Sequence, residues 1–162
     1  MDLYQQALIH SSHSLKESNE RLEFYGDAVL KLVMSDYLCE RFPEADEGLL
    51  TKYRSELVSD QMLSRVGYSL EFDKKIRVGP SLINKQMPKS VVGDAVEAYI
   101  AAVYLDKGLD AAREFVLSKW EEFIEEALDA SLTQNFKSEL QDKIQKEHNS
   151  APKYEVLESS GP

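Results

Sequence analysis

Two stretches of this chain place a glycine and an aspartate beside a glutamate: LEFYGDAVLKLV at residues 22–33 and KSVVGDAVEAYIAAVYL at residues 89–105. At about 100° per residue, Glu20, Glu23 and Asp27 fall within an arc of roughly 60° on one helix face. Asp94 and Glu97, three residues apart, share a face of a second helix. They are its only charges between Ser90 and Leu105, and Val91, Val92, Val96, Tyr99, Ile100 and Val103 surround them. A helix apolar almost all round belongs in an interior. There an unpaired carboxylate costs on the order of several kcal/mol. No lysine or arginine inside this helix offsets the two acids, so a cation must come from elsewhere.

If the two acidic faces meet, Glu23, Asp27, Asp94 and Glu97 make one hard, oxygen-only site. Such a donor set suits Mg²⁺ or Mn²⁺ rather than zinc. Carboxylates that hold metals to activate water and stabilise a leaving oxygen are the equipment of phosphoryl-transfer nucleases. A di-iron bundle would need paired Glu-x-x-His motifs. The histidines are His10, His13 and His148, and Ala7, His10 and Gln145 precede them by three, so that chemistry is excluded. Gly26 and Gly93 each cost about 1 kcal/mol in a helix interior, and each would let the two helices touch beside an aspartate. For the first helix alone, an acidic stripe favoured by the helix dipole is the blander explanation. The buried second helix has no such alternative.

These residues need a scaffold. Periodicity predicts helices over 3–10, 20–41, 49–67 and 90–106, and a last long helix capped by Asp110 and running to Leu128. Ser18 or Asn19 is the expected cap of the second helix. Residues 71–89, with two prolines and a glycine, read as a loop. The chain thus divides into an all-α domain over 1–128, a linker over 129–134 and a tail over 135–162. In the tail Phe136, Leu140 and Ile144 stripe a short helix, and PKYEVLESSGP alternates like one strand. A lone strand cannot pair its own edges, so the tail reads as the opening of a second domain whose remainder is missing.

A net charge of −10 argues against gripping phosphates by bulk charge. Bound divalent cations reverse that local logic. A single cysteine, Cys39, excludes an intrachain disulfide and fits a reducing compartment. The start has no signal-peptide pattern, and no apolar run spans a bilayer. A cytoplasmic protein with no membrane contact is expected. Cys39 reads as a small apolar filler, Trp120 as core, His10 and His13 as structural, and Phe24 and Tyr25 as core rather than partner contacts. Lys74, Lys75, Arg77, Lys85 and Lys89 lie in the stretch 74–89, which contains no acidic residue, and are candidate phosphate contacts.

NERLEFYGDAVL (19–30) resembles the signature stretch of the ribonuclease III family, the double-stranded-RNA endonucleases. VVGDAVEAYIAAVYLDKG (91–108) is similar to that family's second acidic motif, and FPEADEGLLTKYRSELVS (42–59) to the segment between. The likeness covers residues 3–128, and residues 135–162 resemble the first helix and strand of the double-stranded-RNA-binding domain that commonly follows. The resemblance implies an all-helical endonuclease domain followed by an incomplete α+β RNA-binding domain. It makes Glu23, Asp27, Asp94 and Glu97 metal-binding acids, with Asp27 and Glu97 the catalytic pair and Glu20 and Glu47 further acids of the cleavage valley. It implies Mg²⁺ as cofactor, with Mn²⁺ substituting, and a symmetric homodimer acting on double-stranded RNA. Cleavage would leave 5′-phosphate and 3′-hydroxyl ends, in the processing of rRNA, mRNA and tRNA precursors. The alternative is a catalytically silent duplex-RNA-binding or ribosome-associated relative, for which four retained acids would have no use. Family members often carry a further helix before the stretch matching ALIHSS, and their RNA-binding module continues beyond what this chain contains. Weak duplex binding follows from the second departure.

Overall fold

A computed structural model describes residues 2–83 and 85–148, with side chains as far as residue 129. Among the described residues there are six α-helices: α1 Leu3–Ala7, α2 Glu20–Arg41, α3 Glu47–Leu57, α4 Asp60–Ser69, α5 Lys89–Lys107 and α6 Leu109–His148. A 3-10 turn at Phe72–Lys74 lies between α4 and α5. Among the described residues there is no sheet, only a parallel bridge between Ile9 and Arg77. The expected all-α fold is the observed one. Among the described residues no helix is long and apolar enough to cross a membrane.

The apolar pattern of α5 dictates its place. Val92, Ala95, Val96, Ile100 and Ala101 are fully buried, and α1, α2, α4 and α6 pack round the helix. Under α1 the residues are small, Ala98, Ala101 and Ala102 against Ala7 and Leu22, so the two helices lie close. The α6 helix closes the core with Val116, Trp120 and Ile124. Ion pairs Arg113–Glu40 and Arg41–Glu125, both 2.6 Å, tie it to α2, and Arg65–Glu126, also 2.6 Å, ties it to α4.

The segment before α2 is held by its backbone. His10 N donates to Arg77 O at 3.0 Å and Arg77 N to Leu8 O at 2.8 Å. A Cβ on Gly79 would lie 2.1 Å from Ser12 O, so the loop meets the N-terminal segment backbone to backbone. Asn19 occupies the cap position of α2 but its side chain does not cap the helix. Its Nδ2 instead donates to Ala7 O at 3.3 Å, joining α1 to α2.

Several expected boundaries differ. The helix expected over 49–67 is two, because the Ser59 hydroxyl accepts from Met62 N at 3.2 Å and starts α4. A serine N-cap contributes about 1 kcal/mol, enough to favour a new start over continuation. Asp110 lies in the first turn of α6 rather than capping it. The expected linker 129–134 lies inside α6, which runs unbroken to His148. No glycine or proline occurs between Leu109 and His148, and Ser131, Thr133 and Asn135 each disfavour helix by only about 0.5 kcal/mol. The strand expected in 152–162 lies outside the described residues. Trp120 is buried as expected, whereas Cys39 is exposed rather than a filler. Phe24 is 81% and Tyr25 44% exposed, so neither is core.

Candidate active site

The α2 and α5 backbones touch at Gly26. A Cβ placed on Gly26 would lie 1.8 Å from the Glu97 carbonyl oxygen, so any side chain there would separate the helices. Gly93 does different work. Its missing Cβ would meet Leu63 Cβ of α4 at 3.3 Å. The expectation that both glycines serve one helix contact is therefore corrected: only Gly26 does.

Close approach at Gly26 brings the acids of the two helices together. One carboxylate oxygen from each of Glu23, Asp94 and Glu97 lies within 4.8 Å of the others. All three residues are half-buried. Burial, and then the charges of Asp27, Glu23 and Asp94, push the Glu97 carboxyl up to about 8, with Lys31 opposing. Glu23 is raised by burial and by Asp94, Glu20 and Asp27. Asp94 is raised by burial and by Asp60, while His10 pulls it down. These shifts share a physical origin, since withdrawal from water and like charge both disfavour the ionised form.

Asp27 borders the trio without belonging to it. Its carboxylate accepts from Lys31 Nζ at 2.8 Å, one helical turn on. Glu20 is exposed, accepts from Ser18 Oγ at 3.1 Å, and reaches the trio only through its effect on Glu23. Glu47 lies apart, accepting from Thr51 Oγ1 at 3.0 Å beside a small cavity also lined by Cys39 and Arg54. Of the candidate phosphate contacts, Lys74 pairs with Glu71 and Lys75 Nζ donates to Leu70 O at 2.8 Å. Arg77, Lys85 and Lys89 are exposed.

Two residues that act on the cluster escaped the sequence reading. Lys31 is announced by its i, i+4 spacing from Asp27. His10, whose Nδ1 lies 2.8 Å from Ser12 Oγ, is structural as expected, yet its charge also acts on Asp94. The donor set itself fits a hard divalent cation, being all carboxylate oxygen, convergent, partly withdrawn from water and short of positive charge.

Comparison with known proteins agrees. Residues 1–122 match the family model described as ribonuclease-III-like. The chain is 40% identical over 166 residues to a ribonuclease 3 of Clostridium botulinum, covering 99% of this chain and 72% of that protein. It is 40% identical over 162 residues to the ribonuclease 3 of a Nitratiruptor species, with the same coverage of both. Among solved structures, the nuclease domain of ribonuclease III from Campylobacter jejuni, described for structural flexibility in a region involved in dimer formation, superposes with a TM-score of 0.72. That match is 36% identical and covers 74% of this chain and 85% of the other. With its signature acids converging where α2 meets α5, this chain belongs to the ribonuclease III family of endoribonucleases.

Proposed function

We propose that Glu23, Asp27, Asp94 and Glu97 form the Mg²⁺-dependent centre with which this endoribonuclease hydrolyses double-stranded RNA. One observation carries the reading: the carboxylates of Glu23, Asp94 and Glu97 converge within 4.8 Å on a half-buried surface. Nothing in a helical scaffold requires such a cluster, because like charges withdrawn from water oppose folding. When bound, a divalent ion supplies Lewis acidity and neutralises charge developing on a phosphodiester.

The chain's own residues set the rest. Glu97, pushed up to about 8, holds a proton at neutral pH in the ion-free protein and gives it up when a cation arrives. Asp27, half-exposed and paired with Lys31, acts on Glu97 through its charge and would orient groups at the edge of the trio. Asp27 and Glu97 thus remain the proposed catalytic pair, with Glu20 and Glu47 as outer acids. The duplex is gripped through phosphates and 2′-hydroxyls rather than bases, with Arg77, Lys85 and Lys89 as the proposed contacts. Products bear 5′-phosphate and 3′-hydroxyl ends, from rRNA, mRNA and tRNA precursors in the cytoplasm.

A symmetric homodimer is part of the proposal. One acid cluster per chain serves both strands of a duplex when two chains are related by a two-fold axis. Exposed Phe24, Tyr25 and Leu32 on α2 supply an apolar surface beside the acids, and the Campylobacter jejuni domain has a dimer-forming region.

The deciding experiment incubates a long perfect RNA duplex with the protein, with Mg²⁺ and with EDTA. Cleavage of both strands in Mg²⁺, absent in EDTA, is the expected result. Duplex binding with no cleavage in either Mg²⁺ or Mn²⁺ would instead establish the silent relative.

A further inference from the structure

We infer that Lys31 is a built-in counter-ion of the acid cluster, occupying the Asp27 carboxylate until a divalent cation displaces it. The inference rests on the proposed metal centre and deepens it. Lys31 lies one turn beyond Asp27 with its ammonium 2.8 Å from the carboxylate, and the acid precedes the base, the favourable order on a helix. Its influence extends past that pair, because among the charges acting on Glu97 it alone opposes three carboxylates. The Lys31 and Asp27 side chains are 51% and 39% exposed, so water can replace either partner and the pair is exchangeable. A buried pair would be permanent. The helix turn beneath is fixed separately: Ser35 Oγ donates to Lys31 O at 2.6 Å, and Arg54 Nη1 donates to Ser35 Oγ at 2.8 Å. Arg54 of α3 is thereby engaged with Ser35, and Lys31 answers Asp27 and Glu97.

The consequence is competition. An arriving dication must take Asp27 from the ammonium and then tolerate a positive charge held nearby. Lys31 therefore lowers the affinity of the empty site while relieving the repulsion that empties it of stability. An ordinary surface ion pair would do neither. It would support α2 and leave the metal indifferent to its loss.

Calorimetric titration of the metal-free chain with Mg²⁺, without RNA and at alkaline pH where the carboxyls are ionised, separates the two. Lys31→Met keeps the length and helix preference of the side chain and removes its charge. It should bind Mg²⁺ about threefold to tenfold more tightly than the parent, the scale of one unit charge acting on a dication through a largely aqueous medium. Lys31→Arg, which retains the charge, should stay within about twofold of the parent. Unchanged or weaker affinity in Lys31→Met, with binding by the parent intact, overturns the inference alone. Failure of the folded parent and of both variants to take up Mg²⁺ overturns the inference together with the metal centre beneath it.

Discussion

The tetrapeptide Gly-Asp-Ala-Val occurs on α2 and again on α5, and the two copies do different work. On α2, Gly26 gives up its side chain so that the backbone of Glu97 can lie against it. On α5, Gly93 clears room for Leu63 on α4, a contact that a small shift could accommodate. Their aspartates diverge as well. Asp27 is part-exposed and paired with Lys31, whereas Asp94 is raised by burial. Identical letters acquire different duties from what the fold places opposite them. Only the α2 glycine determines whether the acid cluster exists.

Replacing the glycines is the sharpest way to test that asymmetry. Gly26→Ala should destabilise the protein by about 3 kcal/mol or more, because backbone cannot yield as a side chain can. Cleavage should disappear with it, since Glu97 moves away from Glu23. Urea denaturation would measure the first effect and a duplex-cleavage assay the second. A variant within about 1 kcal/mol of the parent and fully active would mean that α2 and α5 do not touch there.

Glu97→Gln isolates the chemistry from the fold. Cleavage at saturating Mg²⁺ should fall by about two to three orders of magnitude, the scale for losing one charge-stabilising group. Its melting temperature without metal at neutral pH should not fall, because Gln is a near-isosteric replacement for a Glu97 carboxyl that is already protonated there. Substantial residual cleavage would remove Glu97 from the catalytic pair.

A third expectation concerns pH. Glu97 titrates near 4.5 when the chain is unfolded and near 8 in the ion-free fold. Between those values the folded state keeps a proton that the unfolded state has lost, so stability declines as pH rises through the window. Midpoints of urea unfolding in EDTA should drop from about pH 5 to about pH 8, and Glu97→Gln should flatten the slope. Saturating Mg²⁺ should flatten it too, as a ligand specific to the native state. A slope identical in parent and variant would place the titrating group elsewhere.

The smallest effect belongs to Gly93→Ala. Helix propensity gains about 1 kcal/mol and the tight Leu63 contact returns part of it, leaving stability within about 1 kcal/mol of the parent. Near-normal cleavage should persist. Loss of activity equal to that of Gly26→Ala would restore the equivalence of the two glycines.

What could be read in advance follows from what each residue's neighbours in sequence determine. The bounds of α2 were legible because apolar residues recur at three- or four-residue steps between Leu22 and Leu38 and FPEADEG ends the helix. Asp94 and Glu97 were legible because charge on an otherwise apolar helix demands a reason, whereas Glu23, on a helix rich in charge, was marked only by the face it shares with Asp27 and by its motif. The α3–α4 break was hidden, since it depends on which way one serine hydroxyl turns. Glu47 illustrates a different limit. A motif names it beside the other acids, yet its distance from them within one chain is a tertiary fact. Phe24 was readable but missed: it lies about 180° round α2 from the stripe of Leu22, Val29 and Val33, which puts it toward solvent.

The single tryptophan offers a spectroscopic consequence. Trp120 is fully buried on α6, and its indole Nε1 donates to Leu57 O at 2.8 Å, at the end of α3. Its fluorescence therefore reports the docking of α6 on α3, whereas the carboxylates are held by α2 and α5. Emission that stays constant through a Mg²⁺ titration while calorimetry registers uptake would mark ion loading as a local event. A blue-shifted band lost only in denaturant would make the same indole an internal gauge of global unfolding, one that needs no attached dye.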